Sequence, residues 1–386
     1  MEFLRTLLSA AASVVVSVFV SITGALHHPT VTVVLPVPAP TTAGVPLSPA
    51  SGHNGNASES GTPASSSKWK LLNEKSGLAG ASAQASSTGR GDPRTFQEGV
   101  STQTPDQVND AARAAVVNIY CTTLAGGDLN PISGSGVVID SRGIILTNAH
   151  VAQFLLLRDY LTKDNIDCVV RTGGPAAPRY RAQVLYLPPE WVVANAEQIK
   201  KEHATGTGQF DYAFLRITGA TNGKPLPDPL PHVPMSVSAD SGQRVVLAAY
   251  PAGFLDGINT SKALYLTSAI TTIGQLYSFG DTHTVDILSV GGTVVSQSGA
   301  SGGAVVRVSD GALVGIITTD SNATTTSARN LYAVSINYID RALSAAGKGG
   351  ILGLLSGDLA QKAADFATTT APQETQLLES ALTPIN

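Results

Sequence analysis

The sequence predicts an all-β protein built from two six-stranded antiparallel β-barrels. Short runs rich in Val, Ile, Thr and Tyr recur from about residue 105, and Gly, Pro, Asn or Asp separates one run from the next. About six such runs lie on each side of the Pro-rich stretch GKPLPDPLPHVP, residues 223–234. Short strands repeated in this way are typical of sandwiches and barrels. We therefore predict one barrel over 105–230 and a second over 231–346.

The first element, residues 1–27, is predicted to be a signal anchor or a signal peptide. No charged residue lies between Arg5 and His27, and the 21 residues 6–26 are enough for a transmembrane helix. This run exceeds the apolar core of a usual cleaved signal, which favours an uncleaved anchor. The sequence TGA at 23–25 offers a processing site for the cleaved alternative. Either outcome exports the remaining chain, so we expect a membrane-anchored extracytoplasmic domain, or a secreted protein if the segment is cleaved.

Residues 28–104 are predicted to be a disordered linker. The segment is rich in Pro, Ser, Thr, Ala and Gly and has no sustained apolar period. It cannot bury enough apolar surface to offset the entropy that is lost when a chain is ordered. A short exception is expected around Trp69 in SKWKLLNEK.

The two barrels follow from their β-rich runs. The first half has AAVVNIYCTT, GSGVVID, GIILTNA, IDCVVRT, RAQVLYL and DYAFLRI, and the second and third of these, joined by Ser-Arg-Gly, predict a hairpin. The second half has QRVVLAAY, ALYLTSAITTIGQLYS, TVDILSV, GGAVVRV, ALVGIITTD and NLYAVSI. Helices are predicted in AHVAQFLLLRDYL, in PPEWVVANAEQIKKEHA and at the C-terminus.

The final residues, 347–386, are predicted to form a helix packed on the body of the protein or a frayed end. Apolar side chains in this tail recur at a helical period, and about 40 residues are too few for another globular domain. The residues that follow this period are Ile351, Leu355, Leu359, Ala363 and Phe366.

The composition excludes several classes of protein. Charged residues make up 13% of the chain, against roughly 25% in an average soluble protein. The net charge of −4 and the absence of a basic block argue against a nucleic-acid partner. Cys121 and Cys168 are too few for a disulfide scaffold and lack the spacing of metal ligands. They form either one disulfide or two buried thiols. No metal or organic cofactor is expected.

The order of the histidines in the chain selects one hydrolase arrangement. Ser301 lies in the Gly-rich stretch GASGG, and a serine nucleophile needs an adjacent base and a group that orients this base. No histidine follows Ser301, which excludes the order Ser, acid, His of α/β-hydrolases. The order Asp, His, Ser would rely on Asp140, which reads as a turn residue. The order His150, Asp211, Ser301 remains, with separations of 61 (211 − 150) and 90 (301 − 211) residues.

At these residues the sequence resembles a known family. SGSGVVIDSRGIILTNAHV, DYAFLRI and GASGGAVV with ALVGIITTD are similar to the three catalytic segments of trypsin-like (chymotrypsin-fold) serine proteases. The chain looks most like the bacterial HtrA/Deg branch, over roughly residues 105–346. The resemblance implies chymotrypsin-like barrels and a serine endopeptidase that degrades polypeptides, specifically unfolded or damaged proteins outside the cytoplasm.

The resemblance also implies a role for each matching residue. Ser301 would attack the substrate carbonyl, His150 would transfer the proton, and Asp211 would hold the imidazole. The backbone N–H groups of Gly299 and Ser301 would form the oxyanion hole. Thr318 stands at the position that commonly supports the triad aspartate.

The sequence departs from the family pattern in three respects. Ala300 replaces the Asp that pairs with a freed N-terminus in many digestive enzymes. Val295 stands where trypsin has its basic-selective Asp, which predicts cleavage after aliphatic or small apolar residues. No PDZ domain is expected after residue 346, so the family's peptide-end recognition and assembly do not carry over, and the oligomeric state stays open. Two alternatives to the endopeptidase are a catalytically silent binding module (a pseudoprotease) and an esterase.

Overall fold

The computed structural model describes residues 69–72, 103–124, 131–201, 206–253, 255, 257–280, 283–320 and 330–383. The predicted membrane segment 1–27 and nearly all of the predicted linker 28–104 lie outside these residues. Among the helices within the described ranges, none is long and apolar enough to cross a membrane. All elements named below belong to one compact unit, residues 64–386.

Strands carry most of the regular structure that positions the site. The described residues form, in chain order, β1 Lys70–Leu71, β2 Val116–Thr123, β3 Ile132–Asp140, β4 Ile144–Thr147, β5 Ile166–Thr172, β6 Ala177–Tyr186, β7 Ala213–Ala220, β8 Arg244–Ala249, β9 Thr267–Thr272, β10 Leu276–Ser278, β11 Ile287–Gly291, β12 Ala304–Arg307, β13 Leu313–Asp320 and β14 Leu331–Ser335.

The first half is a closed antiparallel barrel in the order β2-β3-β4-β7-β6-β5, which confirms the six-stranded barrel predicted there. The predicted hairpin is β3–β4, with Val138 opposite Ile145. Its turn uses Gly143 at a φ of +85°, a conformation that favours glycine because it has no Cβ. β4 also pairs with β7, and Thr147 lies opposite Ala213. The last residue of β4 is therefore beside the first residue of β7.

The second half differs from the prediction of six strands, because it forms an eight-stranded sheet in the order β1-β10-β11-β14-β13-β12-β8-β9. The linker segment Lys70–Leu71 adds one strand at the edge of β10. The run predicted as a single strand bends after β9, where the backbones of Gly274 and Gln275 bond to Ser289. β9 pairs with β8, and its continuation β10 pairs with β11. The sheet therefore curls back on itself.

The continuous apolar runs arise because both faces of several strands are buried. In β4, Ile145 packs in the core of the first barrel, whereas Ile144 and Leu146 point to the opposite side. These two side chains belong to a second hydrophobic cluster, which also contains Val246 and Ala248 of β8. The barrel and the eight-stranded sheet thus share a hydrophobic interface, and burial in it is a major stabilising contribution.

Helices are short and lie at the ends of the strands. They are α1 Pro105–Ala115, α2 Ala149–Ala152, α3 Pro189–Asn195, α4 Gly257–Lys262, α5 Ile336–Ala345, α6 Gly350–Leu355, α7 Leu359–Thr369 and α8 Ala371–Leu382.

Two predicted helices are shorter than expected, and three helices, α1, α4 and α5, were not predicted. AHVAQFLLLRDYL forms α2 and a 3₁₀ turn, Gln153–Leu155. The helix predicted in PPEWVVANAEQIKKEHA forms α3 and then a 3₁₀ helix, Ala196–Lys200. At this change the Asn195 side chain donates to the Trp191 carbonyl at 2.8 Å and competes with a helical backbone bond. Of the helices that were not predicted, α1 begins at a reciprocal cap between Thr104 and Gln107.

The C-terminal tail is packed on the body through three helices, α6 to α8. Ile351 and Leu359 join the cluster between the barrel and the sheet. Phe366 and Leu378 join the core of the first barrel. In the structure the tail is therefore packed on the body and not frayed, and it forms three helices where the sequence predicted one.

Candidate active site

The pairing of β4 with β7 brings the predicted histidine and aspartate together. His150 is the second residue of α2, directly after β4, and Asp211 precedes β7 by two residues. Because Thr147 pairs with Ala213, this ladder closes the 61-residue separation. The side chain of Asn148 donates to the backbone carbonyl of Asp211 at 2.8 Å. The two chain segments are thus fixed to each other at the rim of the barrel.

The Asp211 carboxylate contacts His150 at both its ring and its backbone. Nδ1 of His150 lies 2.9 Å from Oδ2 and 3.1 Å from Oδ1 of Asp211, and the His150 backbone N–H donates to Oδ1 at 3.0 Å. A carboxylate accepts hydrogen bonds, so Nδ1 carries the proton in the neutral ring. The lone pair of the neutral imidazole is consequently on Nε2, the nitrogen that faces away from Asp211.

The proximity of the two groups shifts both pKa values. Burial lowers the pKa of His150, but attraction to Asp211 and the hydrogen bond between them outweigh burial, and the pKa lies above its usual value. Burial raises the pKa of Asp211, yet His150 and the donors around the carboxylate hold that pKa below its usual value. Asp211 is therefore ionised, and protonated His150 is stabilised.

Thr318 supplies a further donor to the aspartate. Its Oγ1 donates to Oδ2 of Asp211 at 2.7 Å, and Thr318 is 4% exposed. Thr318 lies on β13. The Ile317 carbonyl of this strand accepts from the N–H of Gly302 at 2.8 Å, and Gly302 belongs to the loop around Ser301, residues 297–303, called here the nucleophile loop. The residue predicted as a support for Asp211 is thus in direct contact with it, and it belongs to the second half of the chain.

Ser301 lies beside this group but points away from the base. Its Oγ donates to the Thr318 carbonyl at 3.3 Å. The described residues contain no hydrogen bond between Ser301 Oγ and His150. The Ser301 side chain has other staggered rotamers, so Oγ is not confined to the Thr318 carbonyl.

The loop before Ser301 presents two unoccupied backbone donors. The N–H groups of Gly299 and Ser301 donate to no other described residue. Gly299 has a φ of +89°, and a Cβ built there would lie 2.8 Å from the Tyr250 carbonyl. Only glycine fits this backbone without strain. The loop can therefore offer both donors to an oxyanion.

Two residues that the sequence analysis singled out are buried in the core of the second sheet. Val295 is fully buried, and Ala300 is 1% exposed, in one hydrophobic cluster. The position of Ala300 contains no carboxylate and is surrounded by apolar side chains. Val295 is fully buried in this cluster, so its side chain has no exposed surface, and its role in substrate selection stays a prediction.

Sequence reasoning missed Ser135 on β3, which is fully buried against the nucleophile loop. Its N–H donates to the Ser301 carbonyl at 2.7 Å, and its Oγ donates to the Gly299 carbonyl at 2.8 Å. The only local signal was the SGSG run, in which glycines flank the serine and permit close backbone approach. The function of that run depends on a contact 164 residues away.

The two cysteines form a disulfide, Cys121–Cys168, between paired residues of β2 and β5. The disulfide decides between the two alternatives that the sequence left open, one disulfide or two buried thiols. Among the described residues, no cluster of His, Cys, Asp or Glu side chains could hold a metal ion.

The part of the chain that contains these groups is similar to a known family. Residues 134–316 match the family described as trypsin-like peptidase domain. This range begins within β3, includes His150, Asp211 and Ser301, and ends just before Thr318. No curated protein matches the chain in sequence.

Several solved structures are similar to the chain. Deg5 is 18% identical with a TM-score of 0.39, covering 61% of this chain and 89% of Deg5. The serine endoprotease from Yersinia pestis is 22% identical with a TM-score of 0.38, covering 64% and 65%. The HtrA-type protease AlgW, solved with a tripeptide, is 18% identical with a TM-score of 0.39, covering 64% and 65%. The chain thus spans less than two thirds of the length of the latter two.

Proposed function

We propose that this chain is a serine endopeptidase with the triad His150, Asp211 and Ser301, because residues 134–316 match the family of trypsin-like peptidase domains. The observation that supports this most is the Asp211 carboxylate, which bonds to Nδ1 of His150 and to Thr318 next to Ser301. An ionised, oriented aspartate behind the imidazole is the arrangement that makes a serine hydroxyl nucleophilic.

The reaction proceeds by acylation and deacylation. Ser301 Oγ turns to Nε2 of His150, attacks the peptide carbonyl carbon, and loses its proton to Nε2. The N–H groups of Gly299 and Ser301 bind the oxyanion. His150 then gives the proton to the leaving amine as the C–N bond breaks. Water, deprotonated by His150, hydrolyses the acyl-enzyme and restores Ser301.

The decisive experiment uses the full-length chain in detergent. Wild type is expected to react with a fluorophosphonate probe and to cleave casein, whereas S301A does neither. S309A is the matched control, because Ser309 is an exposed serine in the turn after β12, and it should behave as wild type. Labelling that persists in S301A contradicts the assignment of the nucleophile. Absence of labelling in wild type favours the non-catalytic binding module.

We further propose that the substrates are unfolded or damaged polypeptides cleaved after aliphatic or small apolar residues. The apolar Val295, at the sequence position where trypsin has its basic-selective Asp, supports the second part. Reduced, carboxymethylated lysozyme should be cleaved faster than native lysozyme, and mass spectrometry of the products should show Val, Ala or Leu before the cut bonds. Equal rates on both forms, or cuts mainly after Lys and Arg, would contradict this substrate class.

The protease domain is proposed to act outside the cytoplasm, held by an N-terminal anchor or secreted after its cleavage. The apolar run 6–26 and the Cys121–Cys168 disulfide support this, since structural disulfides persist in oxidising compartments. In protein extracted from cells with a thiol-reactive reagent present, both cysteines should resist modification until a reductant is added. Full modification without reductant would indicate a reducing compartment.

A further inference from the structure

The nucleophile loop is held by one hydrogen bond at each of four successive carbonyl groups. The Ser298 carbonyl accepts from Ala252 N at 2.6 Å, and the Ala300 carbonyl accepts from Gly303 N at 2.8 Å. The carbonyls of Gly299 and Ser301 both accept from one residue, Ser135, through its Oγ at 2.8 Å and its N at 2.7 Å. Of these four bonds, only the one at Gly299 is made by a side chain.

The geometry defines the direction of the Ser135 hydroxyl. Its oxygen accepts the backbone N–H of Tyr250 at 2.9 Å, so its single proton is left for the Gly299 carbonyl. Thr147 Oγ1 donates to the Ser135 carbonyl at 2.7 Å and holds this part of β3 in place. The hydroxyl is thus oriented by the eight-stranded sheet on one side and the barrel on the other.

The peptide plane between the two oxyanion donors is held by the Ser135 bond to the Gly299 carbonyl and, more weakly, by the Ala300 N–H, which donates to the Gln297 carbonyl at 3.1 Å. The Gly299 N–H belongs to the plane before it, and the Ser301 N–H belongs to the plane after Ala300. Gly299 has no Cβ, so both of its backbone dihedrals can turn when its carbonyl is released. Turning the central plane misaligns the flanking N–H groups with each other.

We propose that Ser135, contributed by the first barrel, is a positioning residue that holds the Gly299–Ala300 peptide and thereby keeps both oxyanion donors aimed at the substrate carbonyl. The proposal rests on the proposed endopeptidase function. Ser135 touches neither the substrate nor His150, and it acts through Gly299. The barrel that carries the base therefore also sets the electrostatics around the nucleophile on the opposite side of the site.

The test compares S135A with S133A and wild type in the full-length chain. Ser133 lies two residues earlier on β3, and its hydroxyl accepts from Asn118, which keeps a second bond to the Gly134 carbonyl. Loss of one oxyanion donor reduces kcat by about 10²- to 10³-fold. Misalignment is milder, so we expect kcat of S135A to fall about 10- to 100-fold, with KM within about twofold of wild type.

Two further readouts separate positioning from a general loss of structure. A peptide aldehyde forms an oxyanion with Ser301, so its affinity should fall in parallel with kcat, while the affinity of the matching peptide alcohol, which has no carbonyl oxygen for these donors, stays constant. The pH at half-maximal kcat/KM should not change, because His150 and Asp211 are untouched. Rates are expressed per folded molecule, measured by circular dichroism.

The outcomes distinguish the two proposals. An active wild type with S135A matching S133A in kcat and aldehyde affinity overturns the role of Ser135 and leaves the endopeptidase function standing. A decrease confined to KM, or a shifted pH midpoint, also overturns it. A wild type that neither cleaves casein nor reacts with fluorophosphonate overturns the endopeptidase function and the role of Ser135 together.

Discussion

At the scale of single residues, the site depends on a conflict between burial and charge. Burial disfavours the charged forms of both His150 and Asp211, and each group is nevertheless stabilised in its charged form by the other. Thr318 and the His150 backbone N–H add donors to the carboxylate. In the proposed mechanism the imidazole must be neutral to accept the proton from Ser301.

The raised pKa of His150 predicts the pH dependence of activity. Protonated His150 cannot accept a proton, so kcat/KM should rise with pH and reach half its maximum above the usual histidine value of about 6.5. D211N removes the attraction and leaves burial, so the midpoint should move below about 6.5. In the Ser-His-Asp template the same change lowers kcat by about 10⁴-fold. Initial rates on a peptide substrate between pH 4 and pH 9 measure both effects.

The control for this experiment is D110N, which removes an exposed carboxylate from α1. It should retain the wild-type midpoint and rate. A midpoint that is the same in D211N and wild type would show that Asp211 does not determine the pKa of the base.

At the scale of elements, the C-terminal helices pack tightly enough to bury a carboxyl group. Glu374 of α8 is 2% exposed, and neither of its carboxyl oxygens has a hydrogen-bond partner among the described residues. Burial, followed by the charge of Glu190 on α3, raises the pKa of Glu374 to about 8. The helix is therefore docked with this side chain protonated near neutral pH.

Glu374 predicts a decrease in stability with rising pH. Its pKa in the unfolded chain is near 4.5 and about 8 in the folded protein, so wild type loses stability between these values and levels off above pH 8. E374Q cannot ionise. E374Q should therefore have a higher free energy of unfolding than wild type. The difference should grow by up to ~1.4 kcal/mol per pH unit and reach a few kcal/mol at pH 8. Urea unfolding at pH 5, 6.5 and 8 measures the difference.

E379Q is the matched variant, since it removes a carboxylate from a more exposed position of the same helix. Parallel pH curves for E374Q and wild type would contradict the burial of an ionisable group in this packing.

At the scale of the whole molecule, one buried cation connects the two halves. Arg171 of β5 is 2% exposed and donates to Asn118 at 2.7 Å and to the carbonyls of Thr260 and Ser261, at the end of α4, at 2.9–3.2 Å. Its guanidinium lies 4.1 Å from the ring centroid of Tyr120. A planar cation with several donors satisfies these acceptors together.

The Arg171 contacts predict that even a charge-preserving change weakens the fold. Lysine has no planar fork, so R171K leaves buried acceptors unsatisfied and should lower the free energy of unfolding by about 2 to 4 kcal/mol. R181K, at an exposed arginine of the same barrel that pairs with Asp167, should change it by less than about 0.5 kcal/mol. Urea unfolding at pH 7 compares the two. Equal effects would mean that Arg171 does not connect the halves.

The sequence by itself determined the features that depend on neighbouring residues. Short β-rich runs and the Ser-Arg-Gly turn predict the first barrel and its hairpin. The position of Ser301 after every histidine excludes the order Ser, acid, His, and the segments LTNAHV and DYAFLRI then indicate His150 and Asp211 as partners. The disulfide was one of two open states, because pairing depends on which strands become neighbours.

The tertiary structure decided the features that depend on contacts between residues far apart in the sequence. The eighth strand of the second sheet comes from the linker, and a bend splits one predicted strand. The buried Glu374, the direction of the Ser301 hydroxyl and the bond from Ser135 to Gly299 arise from contacts across the fold. Residue type and local period carry no information about such contacts, since a side chain's partner is determined by packing of the complete chain.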